Sequence, residues 1–359
     1  MHLEFRKVYP LLVLATLMSG AIYIYILGYS QPLPTLQLPF NRPQRNSTER
    51  RAYATFLGGS TSKGQPSNVS ASAQVALQDP YFISVRLLNY QILHAEKTKT
   101  SSHIIPFVVL ALPNVPRSQV AVLEAEGATV VGIEPLDLPD AFDKDYINDS
   151  RFRDVLSKLR LWQLTDYDKI VYLDADSFLL QNLDALFTDP ELSPIMKTLP
   201  SGQNTTDQIP MPETYLMAAS ADTYGDQTEW EEPGHVNYLC ACFMLFSPSN
   251  ALFEYYISVL TGSNAPPNAA YPEQDLLIYV HRNDGPMPWR RIPIQWSAND
   301  GEMNDELILL GGVKSLHVKG FEGAEGGNVA SEKYKAIWRD MVAEMEGYFD
   351  RHREPGNNK

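Results

Sequence analysis

Hydrophobic positions fall first into one unbroken run and then into short runs that alternate with segments of helical spacing. The unbroken run, Leu11–Tyr29 (LLVLATLMSGAIYIYILGY), carries no charge. As a helix it reaches about 28 Å, close to the ~30 Å hydrocarbon core of a bilayer. Arg6 and Lys7 precede it and no charge follows until Arg42, a bias that puts the amino terminus in the cytosol. The expected layout is a cytosolic tail over 1–10, a transmembrane signal anchor over 11–29, an extended stem over 30–51 and a lumenal domain over 52–350. The stem carries Pro32, Pro34, Pro39 and Pro43 and little periodic hydrophobicity. A cleaved signal peptide is the rival reading, but its apolar region normally runs about 7–15 residues, and no small-x-small cleavage site ends this one. Sequons at Asn46, Asn68, Asn148 and Asn204 suit a secretory lumen.

Beyond the stem, YATFL (53–57) predicts a strand that runs into a Gly/Ser-rich loop, GGSTSKGQPSNVSASAQ. That loop is not a phosphate loop, because Lys63 precedes Gly64 instead of following the glycine. PYFISVRLLNYQILHAE has the spacing of an amphipathic helix, and IIPFVVLAL is a continuous apolar run of the kind a fully buried strand shows. SQVAVLEAEGA predicts a helix with Gly127 near its end, TVVGIEPL a strand, FRDVLSKLRLWQL a helix, KIVYLDAD a strand and LDALF a short helix. Strands separated by helices predict an α/β domain: a mostly parallel sheet with helices on both faces, binding its ligand beyond the carboxyl ends of the strands.

Composition narrows the function classes. Lys+Arg 29 against Asp+Glu 43 gives a formal charge of −14, which argues against sequence-independent nucleic-acid binding. Two cysteines, Cys240 and Cys242, exclude a disulfide scaffold and a Cys-rich zinc module. Positions i and i+2 of an extended strand also lie near the far limit of disulfide reach, so pairing between them is not expected.

The chemistry concentrates in Lys169–Phe187, KIVYLDADSFLLQNLDALF. Ile170, Val171, Tyr172 and Leu173 make a buried strand, and Asp174 and Asp176 fall at its carboxyl end, where a spacing of two aims both carboxylates to one side. Two carboxylates aimed together repel unless a cation lies between them, and Mg²⁺ or Mn²⁺ bridging a diphosphate answers that need. With QNLDALF following, a Lys-bearing helix ahead, the pair Glu273-Gln274 and a late H-x-x-G, His317 to Gly320, the chain from Tyr53 to about Gly323 resembles the glycogenin-like glycosyltransferases, family 8.

The resemblance implies a nucleotide-diphospho-sugar transferase fold, Rossmann-like, and a UDP-sugar donor. It implies Mn²⁺ (or Mg²⁺) held by Asp174, Asp176 and His317, with Lys158 near the diphosphate. It also implies a uridine pocket lined by Thr55 to Leu57 and Tyr81, and Glu273 with Gln274 at the reacting sugar. Gly320 would let backbone approach phosphate. The sequence departs from the family pattern twice. Cys240-Ala241-Cys242 stands where the family has N-S-G, and Phe321-Glu322-Gly323-Ala324 follows the H-x-x-G where the family continues to Lys-Pro-Trp, leaving Lys314 and Lys319 as the nearby lysines.

Family members retain the anomeric configuration. Glu273 is therefore either a nucleophile or, with Gln274, a group that positions the sugar and offsets oxocarbenium-like charge. The expected protein is a single-pass type II enzyme of the Golgi membrane that moves a hexose or N-acetylhexosamine to a glycan or glycoprotein acceptor. The alternatives are a non-catalytic lumenal binding protein on the same fold and a two-carboxylate glycoside hydrolase. The hydrolase fits less well, because side-by-side D-x-D carboxylates suit a metal better than opposed acid and base.

Overall fold

The structure is a computed structural model that describes residues 49–58, 77–136, 154–200, 209–222, 238–262, 271–299, 308, 312–321, 323–324 and 329–352. The expected anchor, most of the stem, the Gly/Ser-rich loop from 59 onward and all four sequons lie outside the described residues. Among the described residues no helix is long and apolar enough to cross a membrane.

Seven strands form the main sheet: β1 (Arg51–Leu57), β2 (Phe107–Ala111), β3 (Thr129–Gly132), β4 (Lys169–Leu173), β8 (Met217–Ala221), β9 (Leu239–Phe246) and β10 (Arg290–Arg291). Their order is β10-β8-β9-β4-β1-β2-β3. The β3-β2-β1-β4 half is parallel throughout, β9 runs antiparallel to β4 and β8, and β10 is parallel to β8. A second sheet joins β5 (Ser177–Leu179), β11 (Ala298–Asn299) and β12 (Ser315–His317), and β6 (Met196–Lys197) pairs with β7 (Thr214–Tyr215).

Strand alternation divides the apolar residues between two cores. Ala52, Ala54, Phe56, Ile170 and Tyr172 share one with a 3₁₀ segment, Leu156–Gln163, and with helices α3 (Asn250–Thr261) and α4 (Pro272–Val280). Tyr53, Leu57, Val171 and Leu173 face the other core, with helices α1 (Pro80–Leu93) and α2 (Arg117–Ala125) and a second 3₁₀ segment, Asp184–Thr188. The expected α/β class, with helices on both faces, is what the chain forms. The segments FRDVLSKLRLWQL and LDALF, expected as α-helices, continue as tighter 3₁₀ turns over their described lengths.

Helix α1 starts where Asp79 accepts the N–H groups of Tyr81 and Phe82 at 2.9 and 3.0 Å, with Pro80 as its first residue, a cap worth about 1 kcal/mol. The spacing predicts one buried stripe, yet Phe82 and Ser84 through Ile92 are all buried. The reason is α5 (Glu332–His352), a helix not assigned from sequence, which forms a third core with Leu87 and Tyr90 of α1 through Tyr334, Trp338, Met345 and Phe349. The signal was present, since those apolar residues recur at helical spacing.

The cysteines depart from expectation. Cys240 and Cys242 are joined as a disulfide, with Cα atoms 5.2 Å apart, shorter than two residues of regular strand. The register explains it: Ala219 of β8 faces Met244 of β9, but the next residue, Ser220, faces Cys240. Three residues of β9, Ala241 to Phe243, therefore bulge out of the β8 ladder, and the bend draws the two sulfurs together.

Polar groups inside α1 are partnered. Arg86 is buried, donates to both Glu126 oxygens, and reaches Glu346 of α5 at 2.5 Å. Burial alone would lower the guanidinium's pKa, but Glu126 and Glu346 raise it. Arg86→Ala would remove the buried guanidinium that both Glu126 and Glu346 contact, so the expected cost is about 3–5 kcal/mol, read by urea unfolding. A loss below about 1 kcal/mol would show that the triad does not secure α5.

Candidate active site

The carboxyl end of β4 meets the β9 bulge and the end of β12. Strand β4 stops at Leu173, and Asp174 to Asp176 form a turn closed by Ser177 N–H to Asp174 O at 3.0 Å. The carboxylates therefore converge through a turn, not through strand periodicity as the sequence suggested. Strand β12 pairs antiparallel with β5 so that His317 faces Ser177, and Val318 N–H donates to Asp176 O at 3.1 Å. These backbone bonds deliver the imidazole to the carboxylates.

One ligand atom from each of Asp174, Asp176 and His317 lies within 4.8 Å of the others. His317 Nε2 is 3.2 Å from Asp176 Oδ1 and 3.9 Å from Asp174 Oδ2. Two carboxylates and an imidazole are a hard oxygen/nitrogen donor set of the kind Mn²⁺ accepts. The Asp174 side chain is 21% exposed against 12% for Asp176, so the open side of the cluster is at Asp174.

Behind Asp174, Tyr172 Oη donates to Oδ1 at 2.5 Å and Lys158 Nζ contacts the same oxygen at 2.7 Å. Lys158 also donates to Glu273 Oε1 at 3.2 Å. Burial would lower the lysine's pKa, but Asp174 and Glu273 raise it, and it stays charged. Burial, with Asp174 beside it, pushes the Tyr172 phenol up. Tyr172 was missed as a site residue, although strand alternation puts it on the same side as Asp174 two positions on.

Glu273 is the second residue of α4 and is buried, with Oε2 lacking a hydrogen-bond partner. Gln274 accepts the Ala241 N–H at 2.9 Å, and Asp174 N–H donates to Cys242 O at 2.9 Å, so the bulge is tied to both α4 and β4. The Lys158–Glu273–Asp174 group and the Asp174–Asp176–His317 group share Asp174 and form one site.

The remaining candidates sit around it. Leu57 ends β1, buried in the core, and Thr55 is fully buried and donates to Leu173 O at 2.7 Å. Tyr81 is partly exposed and packs edge-on against Phe321 at 5.1 Å, beside the His317–Gly320 segment. A Cβ on Gly320 would meet Trp338 at 2.5 Å, so the packing of α5 by itself calls for glycine there. Lys314 lies 3.6 Å above the Trp296 ring, and Lys319 adds positive charge near Asp176.

Two carboxylates and a histidine thus meet beside the carboxyl end of β4. No family model matches the chain. It is 32% identical over 161 residues to UDP-glucuronate:xylan alpha-glucuronosyltransferase 1 of Arabidopsis thaliana, covering 44% of this chain and 20% of that protein. It is 29% identical over 195 residues to galactinol synthase 1 of Solanum lycopersicum, covering 51% and 53%. A galactosyltransferase solved with donor and acceptor sugar analogues superposes with a TM-score of 0.44 at 13% identity, covering 83% of this chain and 95% of that one. By sequence the chain is similar to glycosyltransferases; the matched stretch spans about half of the galactinol synthase and a fifth of the glucuronosyltransferase.

The site also sets a pH signature for the metal-free protein. Burial would raise the Asp176 pKa, but His317 beside it brings it down to about 2. Burial would lower that of His317, but Asp176 and Asp174 raise it above 6.5. Asp176 thus contributes stability above its ordinary value, lost as the pH falls toward 2; His317 contributes below 6.5, lost as the pH rises through its raised value. With chelator present, the stability gap between the native chain and His317→Ala should be widest near pH 5 and shrink as the pH rises above 6.5. Denaturant titrations across that range check it, and a gap that does not change with pH would refute the pairing.

Proposed function

We propose that the chain is a metal-dependent, retaining glycosyltransferase that moves a sugar from a UDP-sugar to a glycan acceptor in the secretory lumen. The observation that carries this reading is the cluster of Asp174, Asp176 and His317 at the carboxyl edge of the parallel sheet, with ligand atoms within 4.8 Å of one another. Mn²⁺ held there would act as a Lewis acid for the departing diphosphate, worth several kcal/mol. UDP as the nucleotide is supported by the donor in the name of one relative, UDP-glucuronate. The lumenal, Golgi-membrane assignment rests on the apolar run Leu11–Tyr29, the charge bias before it and the four sequons.

The chain's own residues divide the work. Lys158, buried against Asp174 and Glu273, pairs with both carboxylates and adds positive charge behind the diphosphate. Tyr172 holds Asp174 in one orientation by its hydrogen bond. Glu273, with one oxygen on Lys158 and the other buried and unpartnered, would place its carboxylate near the reacting sugar and offset oxocarbenium character. A lysine contact weakens a carboxylate as a nucleophile, so this electrostatic role suits Glu273 better than covalent attack. Gln274, anchored on Ala241, positions the bulge. Leu57, Tyr81 and Gly320 flank the end at which the nucleotide would lie.

The test is UDP release by the full chain offered UDP-glucose, UDP-galactose, UDP-N-acetylglucosamine and UDP-glucuronate, with Mn²⁺ or chelator. Release with one donor is expected, lost on chelation and reduced at least about 100-fold in Asp176→Ala, with folding intact by circular dichroism. Unchanged turnover in that variant would overturn the metal centre. Metal-dependent binding of a UDP-sugar with no turnover in the presence of acceptor glycans would favour the binding-protein reading, for which the Cys240-Ala241-Cys242 replacement speaks.

A further inference from the structure

Cys240 and Cys242 have no part in the transfer proposed above, yet their segment touches its residues on two sides. Cys242 O accepts the Asp174 N–H, and the intervening Ala241 N–H donates to Gln274. The two sulfurs and a ring nitrogen of His317 lie within 4.8 Å of one another, and all three residues are buried. His317 therefore belongs to two overlapping ligand sets, one with Asp174 and Asp176, the other with the two cysteines.

The two sets differ in chemistry. Oxygen, oxygen and nitrogen suit a hard divalent ion, whereas two thiolates and an imidazole suit a softer one, and Cys₂His with an open position is a known zinc geometry. The disulfide decides which set exists. While the sulfurs are bonded to each other neither offers a thiolate, and His317 contacts Asp176. The β9 bulge brings the Cα atoms of the pair to 5.2 Å.

We propose that Cys240 and Cys242 form a redox-controlled second metal site that shares His317 with the carboxylate centre. The disulfide leaves His317 to Asp174 and Asp176; the dithiol captures it with a thiolate-binding cation such as Zn²⁺. In the switching step two thiols of a small-molecule reductant of the glutathione class give up two electrons and two protons. Their sulfurs bond to each other, the Cys240–Cys242 bond breaks, and each cysteine sulfur takes one proton, released when the metal binds. The inhibitory consequence rests on the proposed metal-dependent transfer; the second site itself does not.

The experiment uses the full chain, oxidised or reduced by a small dithiol that is then removed, with Co²⁺ as a spectroscopic probe. Reduced protein is expected to show thiolate-to-cobalt charge-transfer absorption in the near ultraviolet, which oxidised protein lacks. The band should vanish in Cys240→Ser and in Cys242→Ser and persist in Asp176→Asn. If a serine variant does not fold, iodoacetamide treatment of the reduced native chain replaces it and should abolish the band. Zn²⁺ should lower UDP release by the reduced chain about tenfold relative to the oxidised chain, reversed on reoxidation. A folded, reduced chain without the band, or a band that survives loss or alkylation of the cysteines, would overturn the proposal. Absence of UDP release under every condition would count against the transferase alone, because the cobalt band is read without turnover.

Discussion

Three carboxylates are held where water is scarce, and the rest of the site is arranged around balancing their charge. Asp174, Asp176 and Glu273 would repel one another strongly at low dielectric. Lys158 answers two of them, with contacts of 2.7 Å to Asp174 and 3.2 Å to Glu273, and His317 answers Asp176. The lysine comes from the 3₁₀ segment before β4, the histidine from the small sheet, and Glu273 from the start of α4. The charge balance therefore requires three separate parts of the fold to be in register at once.

That requirement gives the secondary sheet its purpose. Taken alone, three residues of β12 and three of β5 make a weak pair. Their hydrogen bonding sets His317 opposite Ser177, one residue past Asp176, and the Phe178 and Leu316 side chains join a core covered by α5. The long carboxyl-terminal helix acts on the site through this core. It packs Trp338 into the space beside Gly320, which fixes the chain just after the histidine. A glycine that resembles a phosphate contact in sequence is thus also a packing contact in three dimensions.

The parallel half of the sheet was legible because β1, β2 and β4 are buried and read as apolar runs, with β3 at the half-buried edge still reading as TVVG: all four fall where the runs lie. The carboxylate pair was legible for the same reason, since it ends such a run. What escaped the sequence depends on long-range register. The Tyr172 hydrogen bond to Asp174 follows from strand alternation and was available to a closer reading. The disulfide was not, because the expectation against it assumed a regular strand, and the bulge appears only when β8 and β4 both pair with β9. Helix α5 has clear helical spacing, but nothing in its sequence says that it caps α1, so the buried polar face of α1, with Arg86 and Gln91, had no explanation until its partners were known.

The departure at Cys240-Ala241-Cys242 has a structural consequence separate from any role in redox chemistry. Strand β9 lies beside β4 in the sheet and so passes directly next to the carboxylate turn. Small polar residues there would contribute side-chain hydrogen bonds to a bound sugar. Two cysteines and an alanine leave that duty to the backbone, and the Ala241 N–H and Cys242 O are already occupied by Gln274 and Asp174. The β9 side of the site is therefore less polar than the family pattern implies, and the bulge is tied to α4 through the Gln274 side chain and to β4 through a main-chain bond. Discrimination among sugars depends on leaving or filling polar partners, so it must come from groups with capacity to spare. Inside the site, Glu273 Oε2 is buried and has no hydrogen-bond partner. The same carboxylate that balances Lys158 therefore carries one oxygen whose hydrogen-bonding capacity is unused.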